Sequence, residues 1–475
     1  MAGAEWSPSH VDRAGAEAMA MAMTGESSAS AGQGAWDEHG GNPEYTGSQS
    51  GSGSHSSGSD SGDVSTQLQP SKRVHILGFT TRARFLAHAL ASTPDIPVGM
   101  LVHNLEPIKR WDEEHRRLSL YDARGQWASS VPLPCPRLIW ERRQYLDSPE
   151  HAYYLSHVIV DTQAAAIVRS LQYLRPRIDR QTTICLLHDG LGLVERIHEE
   201  VFPDPRNRPN IVLGHSSYVL GRISGTMYSL KRKKPGSLLL HGIQNFDHAP
   251  RHTIYTGMPQ PAHATRDASA MTEERMRQTQ NFVGLLSPNT LNTVSLPWVR
   301  FLCQKLPNVI FSSVADAVSV ILGCRYSQIY PNYNARSLWD SLLDETLAIV
   351  AQFPELQEVP HQRDAFLTST FRRKLSTYRI SLRNNVSPWV KQVRYGIEPP
   401  VAYANGYFIR RARELGLEHK LNSMAEEVVN ARVSARRIEI KIDLLGTSAY
   451  MTDSDLIGGG QPPPTMEEIL DDDHL

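Results

Sequence analysis

The chain has 475 residues, with 49 Lys and Arg against 50 Asp and Glu, so it has room for two domains plus tails and no global charge that draws it to nucleic acid or a membrane surface. Cys135, Cys185, Cys303 and Cys324 are widely spaced and none sits in a C-x-x-C pair. They read as reduced thiols, without support for a disulfide framework or a metal site. No apolar run comes near the roughly 20 residues of a membrane span, so a soluble protein with no membrane partner is expected.

Residues 1–71 are rich in Ser, Gly, Ala and acids, with SGSGSHSSGSDSG at 50–62 and Arg13 as the only Lys or Arg. Such a segment cannot bury enough apolar surface to offset its chain entropy and reads as a disordered tail. Asp12, Glu17, Glu26, Asp37 and Glu38 argue against a mitochondrial presequence, and no long apolar core marks a secretory signal. A cytoplasmic location is the expectation, with a mitochondrial one left open.

Order begins at VHILGFTTRARFLAHAL (74–90), a buried strand, a tight turn and an amphipathic helix in succession. A dinucleotide-binding turn reads G-x-G-x-x-G/A, with backbone N–H groups and the helix N-terminus facing a pyrophosphate. Here Gly78 is the first glycine and Ala83 an allowed third position, but Thr80 puts a β-branched side chain where the backbone must approach the phosphates. Packing roles for Gly78 and Ala83 are the plainer alternative.

Further strands are predicted at IPVGMLVHN (96–104), HVIVDT (157–162) and TTICLLHDG (182–190), with a helix from Ala164 to Leu174. Pro205 to Arg208 form a loop, and NIVLGHSSYVLG (210–221) and GSLLLHGI (236–243) supply the remaining strands. The alternation predicts a doubly wound parallel sheet of Rossmann type over 72–245, with ligands at the carboxyl ends of its strands. A linker or long loop follows over 246–275. Helical spacing at Val309–Leu322, Ser337–Phe353, Ala365–Leu382, Val401–Leu415 and Ala425–Val433 makes 276–434 an all-α C-terminal domain. GGGQPPP (458–464) and DDD (471–473) mark a mobile acidic tail over 435–475.

The segment YANGYFIRRARELGLEHKLN (403–422) resembles the C-terminal helix region of the ketopantoate (2-dehydropantoate 2-) reductases. VHILGFTTRARFLAHAL matches that family's first strand and helix, CLLHDGLG (185–192) its L-x-Q-N-G-x-G loop, VFPDP (201–205) its fungal members, and ILGCRYSQI (321–329) its L-L-D-C-R-N-G-E-L segment. The resemblance spans roughly 73–434 in the right order. It implies hydride transfer from NADPH to the ketone of ketopantoate. In the family a lysine acts as acid near the carbonyl oxygen, and a glutamate, asparagines and a serine hold lysine and substrate.

Position by position, the resemblance departs from that chemistry. With the family's K-L-A-V-N-A-V-I-N-P motif anchored on Leu322 to Arg325, the lysine falls on Asn308 and the two asparagines on Ser312 and Asp316. Lys305 lies three residues earlier and is a possible substitute, although Pro307 argues for a helix start between them. The S-S-M-L-Q-D-V motif begins at Ser387, with Pro388 at its second serine, and the family glutamate falls on Pro400, with Glu398 nearby as a substitute. On the cofactor side the H-R arginine becomes Asn104, the T-K-A lysine Gln163 and the Q-N-G asparagine Asp189.

Two functions follow. One is a reductase-like protein without reductase activity, a binding or regulatory scaffold for a protein partner, possible also as a homodimer. The other is an NADPH-dependent reductase of 2-dehydropantoate or a related 2-keto acid. His188 with Asp189 could handle protons or be an ordinary polar strand end, and Asp316 with Asn308 could bind a ligand or be satisfied structural polar groups. Lys231 to Lys234 could meet RNA or another anion, but a solvated hairpin is the simpler reading. His215, His241 and His248 lack metal-ligand spacing.

Overall fold

The computed structural model describes residues 72–140, 154–243, 266–287, 291–382 and 385–450. The segments read as tails over 1–71 and 451–475, and residues 246–265 of the expected linker, lie outside the described residues.

The first predicted strand and helix are β1 (Val74–Leu77) and α1 (Thr81–Ala91). β2 (Val98–Val102), α2 (Glu106–Glu113), β3 (Arg117–Tyr121), β4 (Trp127–Pro132), β5 (Arg137–Leu138) and β6 (His157–Val160) follow. Then come α3 (Ala164–Leu174), β7 (Thr183–Leu186), α4 (Leu193–Glu200), β8 (Asn210–Ser216), β9 (Val219–Arg222), β10 (Ser229–Lys234) and β11 (Leu238–Ile243). The main sheet has eight strands in the order β12-β11-β8-β7-β6-β1-β2-β5, with β12 at Thr293–Ser295. β6 and β7 are buried at every residue, as strands covered on both faces must be.

The sheet runs parallel from β5 to β8, but β11 pairs antiparallel with β8. It is therefore mixed rather than wholly parallel. The stretch 210–221, read as one strand, divides into β8 and β9, which belong to different sheets. A second sheet, β4-β3-β10-β9, had no counterpart in the sequence reading. Leu118, Leu120, Val131 and Leu230 on its inner face share a core with Phe85, Leu86 and Leu90 of α1. The run Lys231–Lys234 lies on β10, paired antiparallel with β9, with Lys233 and Lys234 exposed.

Helix α5 (Arg266–Leu285) begins inside the segment read as linker, and its Phe282 packs in the core of β1 and α1. The helical part begins with α6 (Trp298–Phe311), continues through a π-turn at Ser312–Asp316 and ends in α7 (Ala317–Leu322). This run, Trp298–Leu322, is long and apolar enough to cross a membrane by length and composition, contrary to the expectation that no such stretch exists. Most of it is buried in the protein, so its apolarity is that of a core helix.

Pro307 lies inside α6 rather than at a helix start. It forgoes one intrahelical hydrogen bond there. Burial of Phe301, Leu302, Leu306, Val309 and Ile310 around it offsets that loss. After α8 (Tyr326–Ile329) come α9 (Tyr333–Ala351), α10 (Pro354–Gln357), α11 (Pro360–Leu367), α12 (Ser369–Ser381) and α13 (Pro388–Arg394). A 3₁₀ turn at Pro400–Tyr403 leads to α14 (Asn405–Leu415) and α15 (Lys420–Tyr450). The last helix thus continues sixteen residues past the end expected at position 434, into the segment read as tail.

Candidate functional site

Strand order reverses at β1, which has β2 on one side and β6 on the other, so the crevice for a ligand lies beyond the carboxyl ends of β1 and β6. Gly78 leaves β1 there with φ +119°, and a Cβ on it would stand 2.0 Å from the Asp161 carbonyl oxygen. Glycine is required by the contact between two strands of the protein itself. Ala83 is fully buried in the core of α1, in agreement with a packing role.

The chain satisfies this turn with its own side chains. Thr80 caps α1, its Oγ1 accepting the Ala83 N–H at 3.0 Å and donating to Asp161 Oδ2 at 2.6 Å. Arg82 donates from Nε and Nη2 to Asp161 Oδ1 at 3.0 and 2.7 Å, from Nη2 to the Leu187 carbonyl at 2.6 Å, and from Nη1 to Asp189 Oδ1 at 2.9 Å. The guanidinium therefore bridges the ends of β1, β6 and β7. A cation at a helix N-terminus opposes the macrodipole, and the buried Asp161 carboxylate beside it supplies the anion that the position favours. Desolvation works against the Arg82 charge, but Asp161 and Asp189 more than restore it and raise its pKa. Crowding by protein raises the Asp189 carboxyl, and Arg82 and Lys305 overcome this and hold it below the ordinary range, although its side chain is largely open to water.

The opposite wall comes from α6. Lys305 is 1% exposed; its Nζ donates to the His188 carbonyl and, at 3.4 Å, to the Gly214 carbonyl. It therefore points at the loop that follows β7 and at the neighbouring backbone of β8. Burial lowers its pKa to about 8, with Asp189 opposing and Arg82 assisting that shift. The His188–Gly190 loop is clasped between the sheet and the helices. Leu191 N–H donates to the Tyr403 carbonyl at 2.8 Å, the His188 and Tyr403 rings meet edge-on at 5.0 Å, and a Cβ on Gly190 would lie 2.5 Å from Tyr403. His188 Nδ1 accepts the Gly190 N–H at 3.1 Å, and burial lowers the ring's pKa to about 4, so the imidazole is neutral at pH 7.

Of the residues singled out from sequence, Gly78, Thr80, Asp189 and Lys305 converge on this crevice. Asn104 is exposed just past β2, where neighbouring His103 Nε2 meets Thr162 Oγ1 at 3.2 Å, and Gln163 is the half-buried residue that precedes α3. Asn308 is half-buried one turn beyond Lys305. The π-turn at Ser312–Asp316 lies between Asn308 and the anchor of that match at Leu322.

Ser312, Asp316 and Ser387 instead serve the interior of the helical part. Asp316 accepts from Tyr326 Oη, from Ser387 Oγ at 2.8 Å and from Ser312. Ser387 also caps α13 by accepting the Trp389 N–H at 3.1 Å. Burial raises the Asp316 carboxyl despite these donors. Glu398 is exposed, and Pro400 opens the turn that carries Tyr403 to the His188 loop.

The sequence reading missed Arg82, Asp161 and Tyr403. The signal for the first two was a pair of opposite charges, each just beyond a strand that a doubly wound sheet places side by side.

Residues 74–242 match the family model described as "Ketopantoate reductase PanE/ApbA", and residues 301–433 match its C-terminal counterpart. A "Probable 2-dehydropantoate 2-reductase" of Schizosaccharomyces pombe is 20% identical over 287 residues, covering 58% of this chain and 71% of that protein. The 2-dehydropantoate 2-reductase of Saccharomyces cerevisiae is 31% identical over 67 residues, 14% of this chain and 18% of the relative. A PanE/ApbA family ketopantoate reductase structure from Ralstonia eutropha superposes with a TM-score of 0.52 at 10% identity, over 77% of this chain and 99% of that one, a likeness of fold.

Proposed function

The chain belongs to the ketopantoate reductase family, and from that premise we propose that it is a member whose dinucleotide crevice has become an internal ion-pair network, leaving a binding or regulatory scaffold. The observation that carries this reading is Arg82, bonded at once to Asp161, the Leu187 carbonyl and Asp189. The residues present do not fit a phosphate-bearing cofactor. Thr80 already takes an N–H of the helix terminus, a buried carboxylate stands beside it, and Asn104 and Gln163 supply no charge for a 2′-phosphate. A pyrophosphate there would have to sever Arg82 from Asp161, and breaking a buried pair costs about 3–5 kcal/mol, or about two to four orders of magnitude in affinity.

A second reading is favoured by Lys305 alone. Its amine is buried in the crevice, and with its pKa lowered to about 8 it could give a proton to a developing alkoxide. On that reading the protein reduces 2-dehydropantoate or a related 2-keto acid. The two separate in one sample of purified protein, by titration with NADPH followed by nicotinamide fluorescence and by ketopantoate turnover. The scaffold reading expects neither signal, whereas turnover abolished by Lys305→Ala would establish the second.

A further inference from the structure

Helix α15 has two apolar faces. Asn422, Ala425, Val429 and Val433 are buried against the helices beneath it. On the opposite side Met424, Val428, Ala431, Ala435, Ile438 and Ile442 recur at alternating steps of four and three, the a/d pattern of a coiled-coil seam. Met424 is 39% exposed, Ile438 59% and Ile442 61%, so the seam lies open among the described residues. Beyond Val433 no residue through Asp443 is buried, although the helix runs on to Tyr450. Its ties to the body there include hydrogen bonds from Arg436 and Arg437 to the Arg394 and Gly396 carbonyls, and half-buried Ile440 lies beside Gly396. A helix extension with so little packing is marginal in water, and a partner along its apolar seam would stabilise it.

We propose that this seam is the contact face of an antiparallel, two-fold homodimer. Large residues stand at the ends of the seam and alanines at its middle, so antiparallel pairing sets Met424 against Ile442, Val428 against Ile438 and Ala431 against Ala435 of the second copy. The contact is self-complementary, as two-fold symmetry requires. Charge favours that direction. Glu427 and Lys441 flank the seam on the same side, both exposed, and antiparallel pairing brings each to its opposite on the other chain, twice over. Arg432 would face its symmetry mate near the axis, but its guanidinium is drawn aside to the Ile321 carbonyl at 3.0 Å.

The test is sedimentation equilibrium of the full chain with exposed-site variants whose circular dichroism confirms folding. The wild type is expected to be a dimer, and Ile438→Glu with Ile442→Glu to raise its dissociation constant by roughly 100-fold or more. Glu427→Lys and Lys441→Glu should each weaken the dimer, and the two combined should restore it. A monomeric wild type overturns the proposal, as does a dimer indifferent to Ile438→Glu with Ile442→Glu. A dimer weakened by Glu427→Lys and not rescued by Lys441→Glu overturns the antiparallel arrangement in favour of a parallel one. A monomer that binds anionic phosphatidylserine vesicles through the same isoleucines also overturns it, assigning the seam to a lipid surface.

Discussion

Asp161→Asn keeps the shape of the buried side chain and removes the charge that holds Arg82 at the N-terminus of α1. The Asp161 side chain is 2% exposed and that of Arg82 24%, so water compensates only part of the loss. Severing a buried pair costs about 3–5 kcal/mol. Arg82 keeps Asp189 and the Leu187 carbonyl, and an amide oxygen can still accept from Thr80, which reduces the expected cost to about 2–3 kcal/mol. At roughly 2–4 °C per kcal/mol for a domain of this size, the thermal midpoint should fall by about 4–12 °C. Arg82→Met should cost more, because it leaves Asp161 buried without its cation. The double variant should cost less than the sum, with a coupling of about 2 kcal/mol. Scanning calorimetry of the four proteins gives the cycle. A midpoint within about 1 °C of wild type for Asp161→Asn, with additive behaviour in the cycle, would refute the view that this pair organises the crevice.

Gly78→Ala should prevent stable folding of the sheet domain, at a cost above about 4 kcal/mol, since its Cβ would collide with the Asp161 carbonyl at a left-handed φ; near-wild-type yield and melting would contradict this. Burial lowers the pKa values of His75, His88, His157, His188, His198 and His215 to between about 3 and 4. The unfolded chain therefore binds more protons below pH ~6.5, and the melting midpoint should drop steeply from there toward pH 4; a flat profile would count against the buried neutral rings. Lys305 has the same sign at higher pH. With its folded pKa at about 8 and the unfolded one near ~10.4, stability should rise across that window by up to about 3 kcal/mol. The wild-type minus Lys305→Met difference isolates this rise, and no difference would place the amine in water.

Much of the fold was legible because burial imposes its period on sequence. β1, β6 and β7 are continuous apolar runs, and α1 and α3 repeat at helical spacing. The second sheet was not legible, since β3 and β4 bury one face only and mix Ser, Arg and Pro among few apolar residues. The end of α15 was missed because its outer half is polar apart from a sparse seam with no partner among the described residues. In the crevice, the weakened glycine turn was visible at Thr80, but the ion pair beside it was not. Arg82 and Asp161 are 79 residues apart and meet only when β1 and β6 pair. Lys305 was discounted because Pro307 suggested a helix start, whereas tertiary packing carries α6 through the proline and turns the amine inward.

The central claim is that the chain's own ions occupy the place of a dinucleotide. Its most direct test is NADPH titration of the purified full chain, followed by nicotinamide fluorescence and isothermal calorimetry. The account predicts no saturable binding below about 1 mM, with the Arg82–Asp161 pair intact throughout. Micromolar binding would contradict it, and ketopantoate turnover that disappears in Lys305→Ala would replace the scaffold with a reductase.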